Sequence, residues 1–145
     1  MATRSARAAW NGSVQDGSGQ VELTSSGAGT FDVSFPRRAA DDAQGTTSPE
    51  ELIAAAHSSC FAMQLSALLG EAGGTVHALE ITADVDFGPD PAGGFHIPAV
   101  RLSVRGEVEG LDEATFSQVA QEAKRTCPVS KALAGTQISL EAALA

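Results

Sequence analysis

Two cysteines stand in contexts that differ sharply. Cys60 lies within Ser48-Pro49-Glu50-Glu51-Leu52-Ile53-Ala54-Ala55-Ala56-His57-Ser58-Ser59-Cys60-Phe61, which reads as a helix. Cys127 lies in Arg125-Thr126-Cys127-Pro128-Val129-Ser130, a break before a second helical start. Two such thiols can form a disulfide, half a metal site, or a redox pair. A helix-borne cysteine packed in a core is inert, and desolvation raises its pKa. Reactivity at Cys60 needs a cation to stabilise the thiolate. His57, one turn earlier on the same face, is one source. Arg37 and Arg38 are stronger ones, because a guanidinium stays charged when partly buried. Cys127 sits at a helix start before Pro128, where the helix dipole favours a thiolate. On local grounds it reads as the more acidic thiol, or else as a simple helix cap.

Other chemistries fit less well. His57-Ser58-Ser59-Cys60 has His-x-x-Cys spacing, but no Cys-x-x-Cys pair and no second clustered histidine accompany it. No metal site is expected. A Cys-His hydrolase using Cys60 and His57 is conceivable, though no oxyanion hole is visible. No glycine-rich phosphate cradle precedes a helix.

The elements that position these residues follow from pattern. The first third alternates in short runs: Ala6 to Trp10, Gln20 to Thr24 and Phe31 to Phe35, the last closed by Pro36. Arg37 to Thr47 reads as a polar loop. Ser48 then caps a long helix, with Pro49 first and Glu51 placed for a capping box, ending near Gly70 or Gly73-Gly74. Val76 to Phe87 and Ile97 to Val108 read as paired strands about a turn at Gly88 to Gly94. Asp112 opens a helix with Phe116, Val119, Ala120 and Ala123 at helical spacing. A turn over Val129 to Leu133 and a last strand from Ile138 to Ala142 complete a single α+β domain over 1–145.

Leu52 to Leu69 carries no charged residue. The run nears a membrane span in length, but it holds His57, Ser58, Ser59, Gln64 and Ser66, and reads as a core helix. A helix uncharged all round is buried on more than one side. In a chain of 145 residues, 43% of them apolar, a sheet covers one side and a second subunit the other. The formal charge of −9 argues against nucleic-acid and anionic-membrane partners. The basic start lacks an apolar stretch after it, so a cytoplasmic setting with reduced thiols is expected.

The block Thr46-Thr47-Ser48-Pro49-Glu50-Glu51-Leu52 through His57-Ser58-Ser59-Cys60-Phe61-Ala62-Met63, taken with Cys127-Pro128-Val129-Ser130, resembles the OsmC/Ohr family, the osmotically inducible protein C and organic hydroperoxide resistance proteins. Ala56-His57, Leu69-Gly70-Glu71-Ala72-Gly73 and Cys127-Pro128-Val129-Ser130 are closer to the OsmC branch. The resemblance implies antiparallel sheets around a long buried central helix, an intertwined homodimer, and a thiol-dependent peroxidase without a bound cofactor. It places the peroxidatic cysteine on Cys60, against the local reading, and the resolving cysteine on Cys127. It places the glutamate on Glu50 and the arginine on Arg38, with Arg37 as the competing position. It further implies an organic hydroperoxide substrate, hydrogen peroxide being a second one, and an external dithiol reductant. Phe31, Phe35, Phe61 and Met63 are candidates for an apolar substrate pocket, and equally for core. A hydrolase or a non-catalytic redox sensor are the rival functions. Ten residues of helix rise about 15 Å, so Glu50 and Cys60 of one chain cannot share a small site; sites built from both subunits are expected.

Overall fold

Alternation in the N-terminal third becomes three short strands, β1 (Arg7–Asn11), β2 (Ser18–Glu22) and β3 (Thr30–Val33), paired antiparallel in that order. The structure, a computed structural model, describes residues 1–145. It divides into two compact units, Met1–Leu52 and Ile53–Ala145. In the first, Trp10 pairs with Gly19. A Cβ on Gly19 would lie 2.9 Å from Trp10 Cε3 and 2.3 Å from the Ala9 carbonyl oxygen. Glycine is therefore what lets β1 and β2 approach here.

The third strand stops sooner than its pattern predicts. Phe35 and Pro36 enter a short helix, α1 (Phe35–Arg38), instead of closing the strand. Ser34 is the cause. Its hydroxyl accepts a hydrogen bond from the Arg37 amide, and Pro36 suits the first turn of a helix. The arginine doublet thus sits on a helical turn rather than in an open loop, where successive side chains diverge by about 100°.

Helix α2 (Pro49–Glu71) starts within the first unit. The Glu51 amide donates to Ser48 Oγ at 3.1 Å, so half of the expected capping box forms. The other half does not: the Glu51 carboxylate accepts from Thr47 Oγ1 instead.

The second unit holds the rest of α2, β4 (Thr75–Val85), β5 (Gly88–Pro89), β6 (Phe95–His96), β7 (Ala99–Glu109), α3 (Glu113–Thr126), α4 (Pro128–Ala132) and β8 (Gln137–Leu144). Its main sheet has the order β4-β7-β8. β4 and β7 pair antiparallel; β7 and β8 pair parallel. The parallel pair follows from connectivity. α3 and α4 return the chain to the start of the sheet, so β8 must run in the direction of β7. Where the sequence reads only a turn, β5 and β6 form a small ladder, and the rings of Phe87 and Phe95 stack with centroids 5.1 Å apart.

Alternation along β7 turns Val100, Leu102 and Val104 inward. Phe61, Leu65 and Leu69 of α2 join Leu102, Val104, Phe116, Ala120, Ala123 and Cys127 in one buried cluster. Each large apolar side chain there is worth about 1.5–3 kcal/mol. Length and mean hydropathy of 1.5 would let α2 cross a bilayer, but these contacts make it the core helix of its unit. Its opposite face carries Ala55, Ala56, Ser59, Met63, Ser66 and Ala67, all exposed and none charged. Met63 is 73% exposed.

Candidate active site

Arg38 ends α1 and Glu50 lies in the first turn of α2. Their side chains form a multidentate ion pair. Arg38 Nη2 donates to Glu50 Oε1 at 2.6 Å, and Nε donates to both carboxylate oxygens at 3.1 Å. Glu50 is only 6% exposed, so its charge is compensated by the guanidinium and by the positive end of the helix. The helical turn separates the doublet: Arg37 Nη1 reaches only the Asp42 carbonyl oxygen, at 3.5 Å.

Beside this pair runs an apolar cleft of about 400 Å³, lined by Trp10, Val14, Val21, Phe35, Leu52 and Arg38 among others. Of the four pocket candidates only Phe35 lines it. Phe31 is exposed, with its ring folded over Gly29. Met63 points outward from α2. Phe61 is wholly buried among core side chains, which corrects its candidacy as a pocket wall: it has no surface left for a ligand. Trp10 and Val21 were not singled out, although the alternation that identified β1 and β2 carries them.

In the second unit both cysteines are free, Cys127 buried and Cys60 half-buried. Cys60 packs against the buried cluster that contains Cys127, and the Cys127 thiol and the Val129 backbone are close enough to act on the Cys60 thiol. Burial pushes the Cys60 thiol up; the Val129 backbone opposes this, while the neighbouring Cys127 thiol adds to it. Cys127 occupies the cap position of α4 but makes no side-chain capping bond. The plain cap reading therefore fails. Pro128 already removes one amide that a cap would serve.

His57 is fully buried. Its Nε2 lies 2.7 Å from Ser130 Oγ, and its Nδ1 has no partner. Such an orphaned nitrogen costs about 1–3 kcal/mol. Burial lowers the imidazole pKa, so His57 is neutral and does not supply the cation that Cys60 needs. Neither ring nitrogen bonds Cys60, which removes the arrangement a Cys-His hydrolase requires. No group of three or more His, Cys, Asp or Glu side chains is gathered in metal-binding range.

The lowered histidine has a pH consequence. Above about 6.5, the ordinary histidine value, the imidazole is neutral both folded and unfolded. Below it the unfolded chain binds a proton that the folded chain refuses, so stability falls with falling pH until the lowered folded pKa is reached. Urea unfolding free energies should therefore decline from about pH 6.5 downward, and His57→Gln should flatten that decline. An unchanged slope in the variant would contradict the assignment.

Sequence reasoning brought Cys60 and Cys127 forward, but it missed two polar pairs beside them, His57–Ser130 and Gln64–Thr126. Gln64 Nε2 donates to Thr126 Oγ1 at 2.9 Å. Polar residues on an otherwise apolar helix and next to a cysteine were the available signal.

Comparison with known proteins agrees with this arrangement of elements. The model of the OsmC-like protein family matches residues 41–141. Peroxiredoxin OsmC of Escherichia coli K12 is 40% identical over 127 residues, which cover 88% of this chain and 87% of that protein. Among solved structures, the organic hydroperoxide resistance protein OhrB of Bacillus subtilis superposes with a TM-score of 0.73 at 29% identity, covering 97% of this chain and 98% of that one. An organic hydroperoxide resistance protein of Elizabethkingia anophelis gives a TM-score of 0.75 at 26% identity, covering 100% and 96%. The chain belongs to the OsmC-like protein family.

Proposed function

We propose that this protein is a cysteine-based peroxidase that reduces organic hydroperoxides. The observation that carries the reading is the pair of free thiols brought side by side, one half-buried and one enclosed. The relatives named as a peroxiredoxin and as organic hydroperoxide resistance proteins support it. Cys60 thiolate attacks the distal oxygen of the hydroperoxide. The O–O bond breaks, Cys60 becomes a sulfenic acid, and the alkoxide leaves and takes up a proton as the alcohol. Cys127 then displaces hydroxide from the Cys60 sulfur; the hydroxide takes the Cys127 proton and leaves as water. An external dithiol reduces the resulting disulfide.

The Cys60 thiol is pushed up within its own unit, so the thiolate needs a cation from elsewhere. Arg38 is suited to this. Glu50 holds it by three contacts, and the apolar cleft beside it suits the alkyl group of a substrate. Since Glu50 and Cys60 lie about 15 Å apart along one helix, the Arg38–Glu50 pair of one copy serves the Cys60 of another. The uncharged face of α2 around Met63 is the surface on which two copies meet. Met63→Glu should then convert a dimer into a monomer in sedimentation or light scattering, at about tenfold or greater weakening for a charge buried at an interface. A monomeric wild type, or a variant that remains dimeric, would count against this assembly.

The function itself is tested by mixing reduced protein with cumene hydroperoxide and excess dithiothreitol. Many equivalents of peroxide consumed per chain are expected. No consumption would refute the peroxidase reading.

A further inference from the structure

The Cys60–Cys127 contact is flanked by two buried or half-buried polar contacts, and the three form a ladder. His57 precedes Cys60 by one helical turn, and its Nε2 meets Ser130 Oγ at 2.7 Å. Gln64 follows Cys60 by one turn, and its Nε2 meets Thr126 Oγ1 at 2.9 Å. Positions 57, 60 and 64 share one face of α2. Their partners, 130, 127 and 126, run in the opposite direction through the junction of α3 and α4. Ser130 is 6% exposed and His57 wholly buried. Thr126 Oγ1 donates in turn to the Glu122 carbonyl oxygen at 2.8 Å, which fixes its acceptor lone pairs toward Gln64.

We infer that His57–Ser130 and Gln64–Thr126 act as a clamp that positions Cys127 against Cys60 for disulfide closure. The inference rests on the peroxidase reading, and it assigns positioning rather than catalytic roles to these four residues. Three features of the pair at His57 support it. An apolar side chain would fill that core position without leaving Nδ1 unpartnered. The ring is kept neutral, so it adds no charge beside two thiols that must approach. Its partner belongs to α4, a helix of five residues that begins directly after Cys127 and cannot hold its own register by length. Closure forms an S–S bond between Cys127 and Cys60, breaks the Cys60 S–O bond and releases water. A reaction between two groups on different elements depends steeply on their placement, and an error of about 1 Å costs up to 100-fold.

The test separates the two chemical steps. Wild type, Ser130→Ala, Gln64→Ala and Ser130→Thr are each mixed with one equivalent of cumene hydroperoxide. Samples are quenched over time with dimedone, which traps sulfenic acid, and with N-ethylmaleimide, which traps thiols, and are read by intact-mass spectrometry. Loss of the Cys60 thiol should stay within about threefold of wild type in both alanine variants. Conversion of sulfenic acid to disulfide should slow about tenfold or more, with the dimedone adduct accumulating. Ser130→Thr keeps the hydroxyl and should restore closure. A parallel arm uses diamide, which oxidises the two thiols to the disulfide without peroxide, and should show the same slowing. Closure at the wild-type rate in either alanine variant that folds overturns the clamp, as does equal slowing of both steps. If wild type ignores the hydroperoxide, the peroxidase reading fails, and the diamide arm alone decides the clamp in the same way.

Discussion

Replacing Cys60 by serine is expected to abolish peroxide consumption, with a loss of about 1,000-fold or more in turnover with dithiothreitol. A hydroxyl remains protonated where a thiol can ionise, and the thiolate is the nucleophile. Cys127→Ser should behave differently. It retains the attacking sulfur, so without reductant it should still consume one equivalent of cumene hydroperoxide. Its product should be a dimedone-reactive sulfenic acid, where wild type yields a disulfide and no adduct. Cys127 is enclosed within the core cluster, and Ser would put a hydroxyl there with the Cys60 sulfur as its neighbour. Each variant should therefore be compared with wild type by thermal unfolding, so that lost chemistry is not confused with lost fold. A Cys60→Ser protein that still consumes peroxide catalytically would overturn the assignment of the attacking sulfur. A wild-type protein whose peroxide-formed disulfide links two copies rather than Cys60 and Cys127 of one chain would overturn the pairing within one chain.

The second large effect is expected at the arginine doublet. Arg38→Ala should lower the rate of Cys60 oxidation by about 100-fold, the size seen when one preorganised charge at a reaction centre is removed. Arg37→Ala should stay within about threefold. Only Arg38 makes the three close contacts with Glu50, whereas Arg37 reaches one carbonyl at the limit of hydrogen bonding. Arg38→Lys should recover little, because an ammonium cannot reproduce the planar fork that grips both carboxylate oxygens. Arg38→Ala also strands Glu50, which is almost fully buried. Part of its effect should therefore be on stability, and pairing it with Glu50→Ala should recover some of that loss. Equal effects at Arg37 and Arg38 would show that the pairing with Glu50 is not what matters.

The long helix, its Ser48 start and the buried side of β7 were legible because each rests on a local rule: a cap, a proline tolerated in the first turn, an alternation of period two. The short helix at Phe35 was not. Its deciding contact is a serine hydroxyl at Ser34 that competes with strand pairing, and the preceding alternation through Phe31 and Val33 points the other way. The parallel return of β8 was equally hidden, since a strand's direction leaves no trace in its own pattern. At the site, the cysteines and the arginine doublet could be named from residue type, while Glu50 and the preference for Arg38 over Arg37 came only from the family resemblance. The neutrality of His57 could not. It depends on burial beneath elements contributed from far along the chain, and sequence proximity to Cys60 invited the opposite reading. The cleft beside Arg38 shows the same limit: Trp10 and Val21 come from strands whose shared face appears only once their register is known.

The parallel pairing of β7 with β8 makes the segment bearing Cys127 a crossover tied to the sheet at both ends. Contacts of this kind join residues far apart in sequence, and they form late because the intervening chain must first be closed. The placement of the Cys127 sulfur is thus tied to the sheet on both sides, and a change that unseats β8 should reach the thiol pair as well.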